Sequence, residues 1–193
     1  MKKVGITLVM AGLLLAGWNG YLWWKGFQAA VPFSGSVQAA EPLKAKKQLN
    51  PAAFHKGENV AELTIPRLNK TFDVFWGTNL KILAKGVGMY VSQWTVPPGN
   101  GGHTVLAGHR DTVFRNLGNL QKGDSVYVTY GGKDYEYRID KIWITDKNDR
   151  TVIVKKQHPT LTLSTCYPFD YIGHAPNRYI VQGHLVKKGN LLK

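Results

Sequence analysis

Hydrophobic and polar positions divide the chain into three stretches with different rhythms. From Val4 to Trp24, 21 consecutive residues carry no charged side chain, and Leu13-Leu14-Leu15 lies within the run. A helix rises about 1.5 Å per residue, so this length matches the roughly 30 Å hydrocarbon layer of a bilayer. Lys2 and Lys3 precede the run, and Trp18, Tyr21, Trp23 and Trp24 gather at its far end. The lysines predict a cytoplasmic N-terminus, and the amphipathic rings suit the outer interface. A cleaved signal peptide is the competing reading, with Val37-Gln38-Ala39-Ala40 as a small-residue cleavage site. The run exceeds the usual apolar core of about 7–15 residues, which favours a retained signal-anchor. Both readings export the remaining chain.

Residues 26–58 show no sustained period, and Pro32, Pro42 and Pro51 interrupt any long helix; the stretch reads as a tether. From about residue 60 the period becomes two. Val60–Ile65, Thr71–Gly77, His103–Ala107, Ser125–Tyr130, Tyr135–Ile144, Thr151–Val154, Thr160–Thr165 and Arg178–Val186 all read as strands. Gly131-Gly132 predicts a hairpin turn. Asn79–Lys85 and Asp111–Leu117 read as short helical pieces. Short strands with only brief helices imply an all-β barrel or sandwich. The chain thus divides into 1–25, a cytoplasmic start and transmembrane anchor; 26–58, an extracytoplasmic tether; and 59–193, one folded domain.

Composition narrows the function. Hydrophobic residues make up 44% and charged ones 19% of the 193 residues, which excludes a disordered chain and a multi-span membrane protein. Lys and Arg number 25 against 12 Asp and Glu, a net charge of +13. The first acid is Glu41; cutting there leaves 22 bases and 12 acids, or +10. The densest basic run, Lys44-Ala45-Lys46-Lys47, is no nucleic-acid signature. The spread charge could equally favour an anionic envelope or membrane headgroups, and charge alone does not choose among these partners. Cys166 is the one cysteine, so an internal disulfide framework and a cysteine-only zinc site are excluded. A lone thiol is either inert packing or a reactive group.

Three residues invite a chemical reading. Cys166 ends the strand Leu161-Thr162-Leu163-Ser164-Thr165 just before Tyr167-Pro168; His109 ends another in Ala107-Gly108-His109-Arg110; Arg178 opens the last strand. A thiol nucleophile needs a proton partner and donors for the developing oxyanion, and these residue types supply all three roles. Taken alone the set is weak, because a hydrogen-bonded structural histidine and a surface arginine are ordinary features.

The motifs around them are more specific. Thr162-Leu163-Ser164-Thr165-Cys166 resembles the T-L-x-T-C signature of sortases, the cysteine transpeptidases of Gram-positive cell surfaces. Val105 to Phe114 is similar to the sortase histidine strand, and Tyr167-Pro168-Phe169 with Arg178-Tyr179-Ile180-Val181 resembles the stretch leading to the sortase arginine. The order anchor, His, Cys, Arg agrees, and the likeness runs from about residue 60 to the end. The Gly-His-Arg-Asp-Thr and Cys-Tyr-Pro-Phe versions look most like class D sortases.

That resemblance implies an eight-stranded sortase-type β-barrel preceded by a transmembrane helix. It implies Cys166 as nucleophile toward the threonine carbonyl of an L-P-x-T-G-like or L-P-x-T-A-like sorting signal. His109 would be the general acid and then base, and Arg178 the oxyanion or substrate stabiliser. The expected partners are exported proteins bearing the signal, and a peptidoglycan precursor or other cell-wall amine as acceptor, with the membrane held by the N-terminal helix and no nucleic acid. The localisation expected is single-pass at the cell membrane, with the catalytic domain outside. No cofactor or metal is expected: no histidine pair has the usual zinc spacing, and Asp146, Asp149 and Glu136 are too scattered for a calcium site.

His55, His103, His158, His174 and His184 read as structural or solvated. Val152, Ile153 and Val154 read either as an apolar pocket for the signal's leucine and proline or as an ordinary core-facing strand. Two other functions compete: a thiol endopeptidase with water as acceptor, and a non-catalytic module that binds wall polymer. The common wall peptidases with a cysteine nucleophile usually place Cys before His, whereas here His109 comes first.

Overall fold

The structure, a computed structural model, describes residues 2–27, 30–32, 54–170 and 173–192. Most of the expected tether, including Val37-Gln38-Ala39-Ala40, lies outside the described residues. Helix α1 spans Lys2–Phe27, and its portion Lys3–Tyr21 is long and apolar enough to cross a membrane, with none of it buried against the rest of the protein. Inside the stretch read as tether, Ala30–Pro32 forms a short strand, β1.

The remaining strands are β2 (Asn59–Ile65), β3 (Lys70–Trp76), β4 (Val87–Met89), β5 (His103–Ala107), β6 (Ser125–Tyr130), β7 (Lys133–Asp146), β8 (Thr160–Tyr167) and β9 (Asn177–Gly189); a one-turn helix α2 covers Leu80–Leu83. The spatial order is β3-β2-β6-β7-β9-β8-β5-β4, and a parallel pairing of β4 with β3 closes the eight into a barrel. β1 adds outside the barrel, antiparallel to Lys70–Phe72 of β3. The β6–β7 hairpin turns on Gly131 (φ +60°) and Gly132 (φ +75°), a left-handed pair of conformations that glycine adopts without steric penalty. Inward-facing Leu63, Phe72, Val74, Leu106, Val128, Tyr137, Leu163 and Val181 form the core.

Three local expectations change. Thr151–Val154 is not a strand but a series of bends. β9 pairs with both β7 and β8, and β8 pairs on its other side with β5, so no ladder is left there for four β-prone residues to join. Asp111–Leu117 is a run of turns followed by a 3-10 turn at Leu117–Asn119. Phe114 and Leu117, both fully buried, anchor that connection, and single-turn bonds such as Leu117 N–H to the Phe114 carbonyl at 3.1 Å take the place of an α-helical ladder. Finally, the closing strand β4 carries no alternation to announce it, being only Val-Gly-Met.

Candidate active site

β5, β8 and β9 lie side by side with β8 in the middle, and their registers decide which residues share a face. Successive strand residues alternate between faces. Leu161 and Leu163 point into the barrel core, so Thr160, Thr162, Ser164 and Cys166 point out. Thr162, Ser164 and Cys166 stand opposite Gln182, Ile180 and Arg178 of β9. On the other side, Thr160, Thr162 and Ser164 stand beside His103, Val105 and Ala107 of β5.

This outer face is covered at one end and open at the other. His103, Val105, Thr162 and Ile180 are buried, although Val105 and Ile180 stand apart from the barrel core. Ala107, Ser164, Cys166 and Arg178 are only part-buried. The cover comes from residues 147–159, which cross back from the end of β7 to the start of β8. Val152 of this crossover is buried, and the Val154 carbonyl accepts a hydrogen bond from His103 Nδ1 at 2.8 Å. Where the cover stops, Cys166 is left part-buried.

The strand ends then set the three chemical groups. β5 stops at Ala107, but its parallel pairing continues one step: Gly108 N–H donates to the Ser164 carbonyl at 3.2 Å, and Thr165 Oγ1 donates to the Gly108 carbonyl at 2.8 Å. His109 follows one residue beyond this last link, past the end of β5. The backbone of His109 is anchored because its carbonyl accepts from Phe114 N–H at 2.9 Å. Arg178 is the direct cross-strand partner of Cys166, which sets the two Cβ atoms about 4.5–5.5 Å apart. Its Nη1 donates to the carbonyls of Asn177 at 3.0 Å and Ala175 at 3.4 Å. A guanidinium has five N–H donors in a planar fork, so the group is oriented by its loop while retaining further donors for an oxyanion. A cysteine at the end of β8, an arginine opposite it and a histidine just past β5 are the residue types that nucleophilic acyl transfer uses.

β8 ends immediately past the thiol. Phe169 packs into the barrel end, with ring centroids 5.7 Å from Tyr167 and 5.2 Å from Tyr179. A Cβ added at Gly118 would lie 2.9 Å from Phe169, so a larger residue there would have to displace that ring. Burial, with Tyr167 nearby, pushes the Tyr179 hydroxyl above its usual pKa. This aromatic plug escaped the sequence reading, although Cys-Tyr-Pro-Phe contains two of its three rings.

The other candidates separate cleanly. His55, His158, His174 and His184 are exposed, and His184 pairs with Asp140 at 2.9 Å. Asp149 accepts from Thr145 Oγ1 and from the Thr151 backbone and hydroxyl; these bonds, Thr145 first, hold its carboxyl below the usual range. Asp146 accepts from Asn148 N–H at 2.7 Å and Glu136 from Ser125 at 2.7 Å. All three acids are thus occupied in local structure, and among the described residues no group of three or more His, Cys, Asp or Glu is placed to hold a metal. Val152 is buried while Val154 is 37% exposed, and the segment is not the core-facing strand that is one of its two readings.

Comparison with known proteins agrees with this geometry. A sequence profile of the Sortase domain family matches residues 63–186. Sortase D of Bacillus subtilis is 36% identical over 202 aligned positions, covering 96% of this chain and 100% of that protein. The catalytic domain of B. anthracis SrtD superposes with a TM-score of 0.63 at 52% identity, over 75% of this chain and 97% of that one. A Clostridium perfringens Sortase D5 transpeptidase superposes with a TM-score of 0.65 at 26% identity, over 86% and 99%.

Proposed function

The chain belongs to the sortase family of cysteine transpeptidases, and on that footing we propose that it joins exported proteins bearing an L-P-x-T-G-like or L-P-x-T-A-like signal to a cell-wall amine. Cys166 Sγ adds to the carbonyl of the signal's threonine, the peptide bond after that threonine breaks, and a thioester takes its place. His109 delivers a proton to the departing amine, then accepts one from the incoming amine as that amine attacks the thioester and frees the thiol. Arg178 donates to the oxyanion of each tetrahedral intermediate, a task that its fixed, permanently charged fork suits better than a lysine would.

The observation that carries this reading is the alignment of three strand ends: Arg178 opposite Cys166 and His109 one step beyond the Gly108 pairing. α1 serves as an uncleaved signal-anchor with Lys2 and Lys3 in the cytoplasm, which places the barrel against the wall it modifies. The basic surface favours that anionic setting. With Cys166 alone in the chain, no second cysteine can trap the exported thiol as an internal disulfide.

Incubating the protein with L-P-x-T-G and L-P-x-T-A peptides, with and without an amine, and recording mass spectra tests the reading. A thioacyl adduct lost in Cys166→Ala, together with an amide product that requires the amine, is expected. Cleavage indifferent to amine would instead mean hydrolysis, and absence of any adduct would leave a wall-binding module.

A further inference from the structure

The covered half of the outer face contains a buried polar chain that the chemistry above does not use. Gln182 Nε2 donates to Thr162 Oγ1 at 2.9 Å, Thr162 Oγ1 lies 2.8 Å from His103 Nε2, and His103 Nδ1 lies 2.8 Å from the Val154 carbonyl. A carbonyl can only accept, so His103 carries its proton on Nδ1. Nε2 then accepts from the Thr162 hydroxyl, whose oxygen in turn accepts from Gln182. One neutral tautomer satisfies every member, as a buried polar network must be satisfied to be tolerated. The chain ties β9, β8 and β5 to a single backbone carbonyl of the crossover.

That carbonyl matters because side chains do little to hold this part of the crossover. Val154, Lys155, Gln157 and His158 are all exposed, in contrast to buried Val152 one turn earlier. His103 and Thr162 are both fully buried at 0% exposure. Two polar links therefore attach residues 154–158 to the barrel: the His103 bond to the Val154 carbonyl, and the bond that the Thr160 hydroxyl donates to the His158 carbonyl at 2.9 Å. Thr162 precedes Cys166 by four residues, about 13 Å along a strand. An extended peptide lying along β8 with its reacting carbonyl at Cys166 would reach the level of Thr162 about four residues away.

We propose that His103 is a positioning residue for peptide binding: by holding the Val154 carbonyl it fixes residues 147–159 along the face of the sheet that carries Cys166. This inference rests on the peptide-transfer reading above. Its test compares wild type with His103→Leu, which removes both bonds, and His103→Asn, whose side-chain amide can replace the Nδ1 donor. Thr162→Val, which removes the partner of Nε2 and the acceptor of Gln182 but leaves the Nδ1 bond to Val154, serves as the milder variant should His103→Leu fail to fold by circular dichroism. In His103→Leu, amide exchange of residues 152–158 should rise roughly tenfold, as loss of one buried hydrogen bond implies, while β6 and β7 keep wild-type protection. KM for an L-P-x-T-A peptide should rise several-fold, with kcat and the rate of Cys166 alkylation by iodoacetamide near wild type. His103→Asn should recover most of both effects. Unchanged exchange at 152–158, a fall in kcat at constant KM, or no recovery in His103→Asn would each overturn the proposal. Failure of wild type to process any sorting peptide would count against the transpeptidase reading alone, because the exchange measurement decides the latch without substrate.

Discussion

Cys166 on β8 and Arg178 on β9 are direct cross-strand partners, held in register by the eight pairs that run from Thr160↔His184 to Tyr167↔Asn177. A slip of one residue would send the thiol and the guanidinium to opposite faces of the sheet. The partnership is therefore a property of the whole ladder rather than of two loops. Arg178→Lys keeps the charge but loses the fork, so turnover of a sorting peptide should fall by about 10²–10³, the usual loss for one oxyanion donor. Steady-state kinetics check this, and a loss under tenfold would remove Arg178 from the oxyanion role.

Burial holds the His103 imidazole below its ordinary pKa, against the opposing pull of its bond to Val154, and nearby Lys156 pushes it further down. The unfolded chain, with an imidazole near pKa 6.5, binds that proton more readily than the fold does. The neutral latch thus contributes its full stability above about pH 6.5 and loses it as pH falls from there through the lower folded value. Urea midpoints at pH 7.5 and 5.5 should show a smaller decline in His103→Asn than in wild type. The exposed His184–Asp140 pair is common to both proteins and cancels in the comparison.

Glu62 on β2 stands directly opposite Asp73 on β3. Burial, then Asp73 and Asp134, push its carboxyl above the ordinary value. The charged form is thus disfavoured in the fold, a penalty absent below the unfolded pKa and fully present once pH exceeds the raised folded one. Glu62→Gln should stabilise the domain at pH 7 by about 0.2–1 kcal/mol, the scale of a like-charge cross-strand pair. The gain should disappear near pH 4, which thermal unfolding at the two pH values would reveal.

Gly88 sits at the centre of β4, the strand that closes the barrel. A Cβ there would lie 2.4 Å from the Gly77 carbonyl oxygen, a backbone atom that cannot swing aside. Gly88→Ala should cost about 1–3 kcal/mol, the usual range for overpacking. A melting temperature equal to wild type would show that the closing strand tolerates displacement.

Much of this protein was legible because its signals are local. The length and uncharged character of Val4–Trp24, the alternation of Thr160-Leu161-Thr162-Leu163-Ser164-Thr165 and the Gly131-Gly132 turn each concern neighbours in sequence. Periods of 3.6 and 2 follow from backbone geometry alone. The motif at Cys166 lies within one strand and that at His109 within one short stretch running from β5 into the turns after it, so the family and its candidate chemistry were accessible without coordinates. Tertiary structure decided what depends on available partners. Thr151–Val154 has the composition of a strand, but a strand needs a free ladder, and β9 already pairs with both β7 and β8. Val87–Met89 has almost no strand signal and still becomes one, because β3 and β5 present edges on either side of it. His103 showed the same dependence: nothing in its sequence neighbourhood distinguishes it from a solvated histidine, and only the meeting of β5, β8, β9 and the crossover excludes water and supplies Thr162 and Val154 as partners.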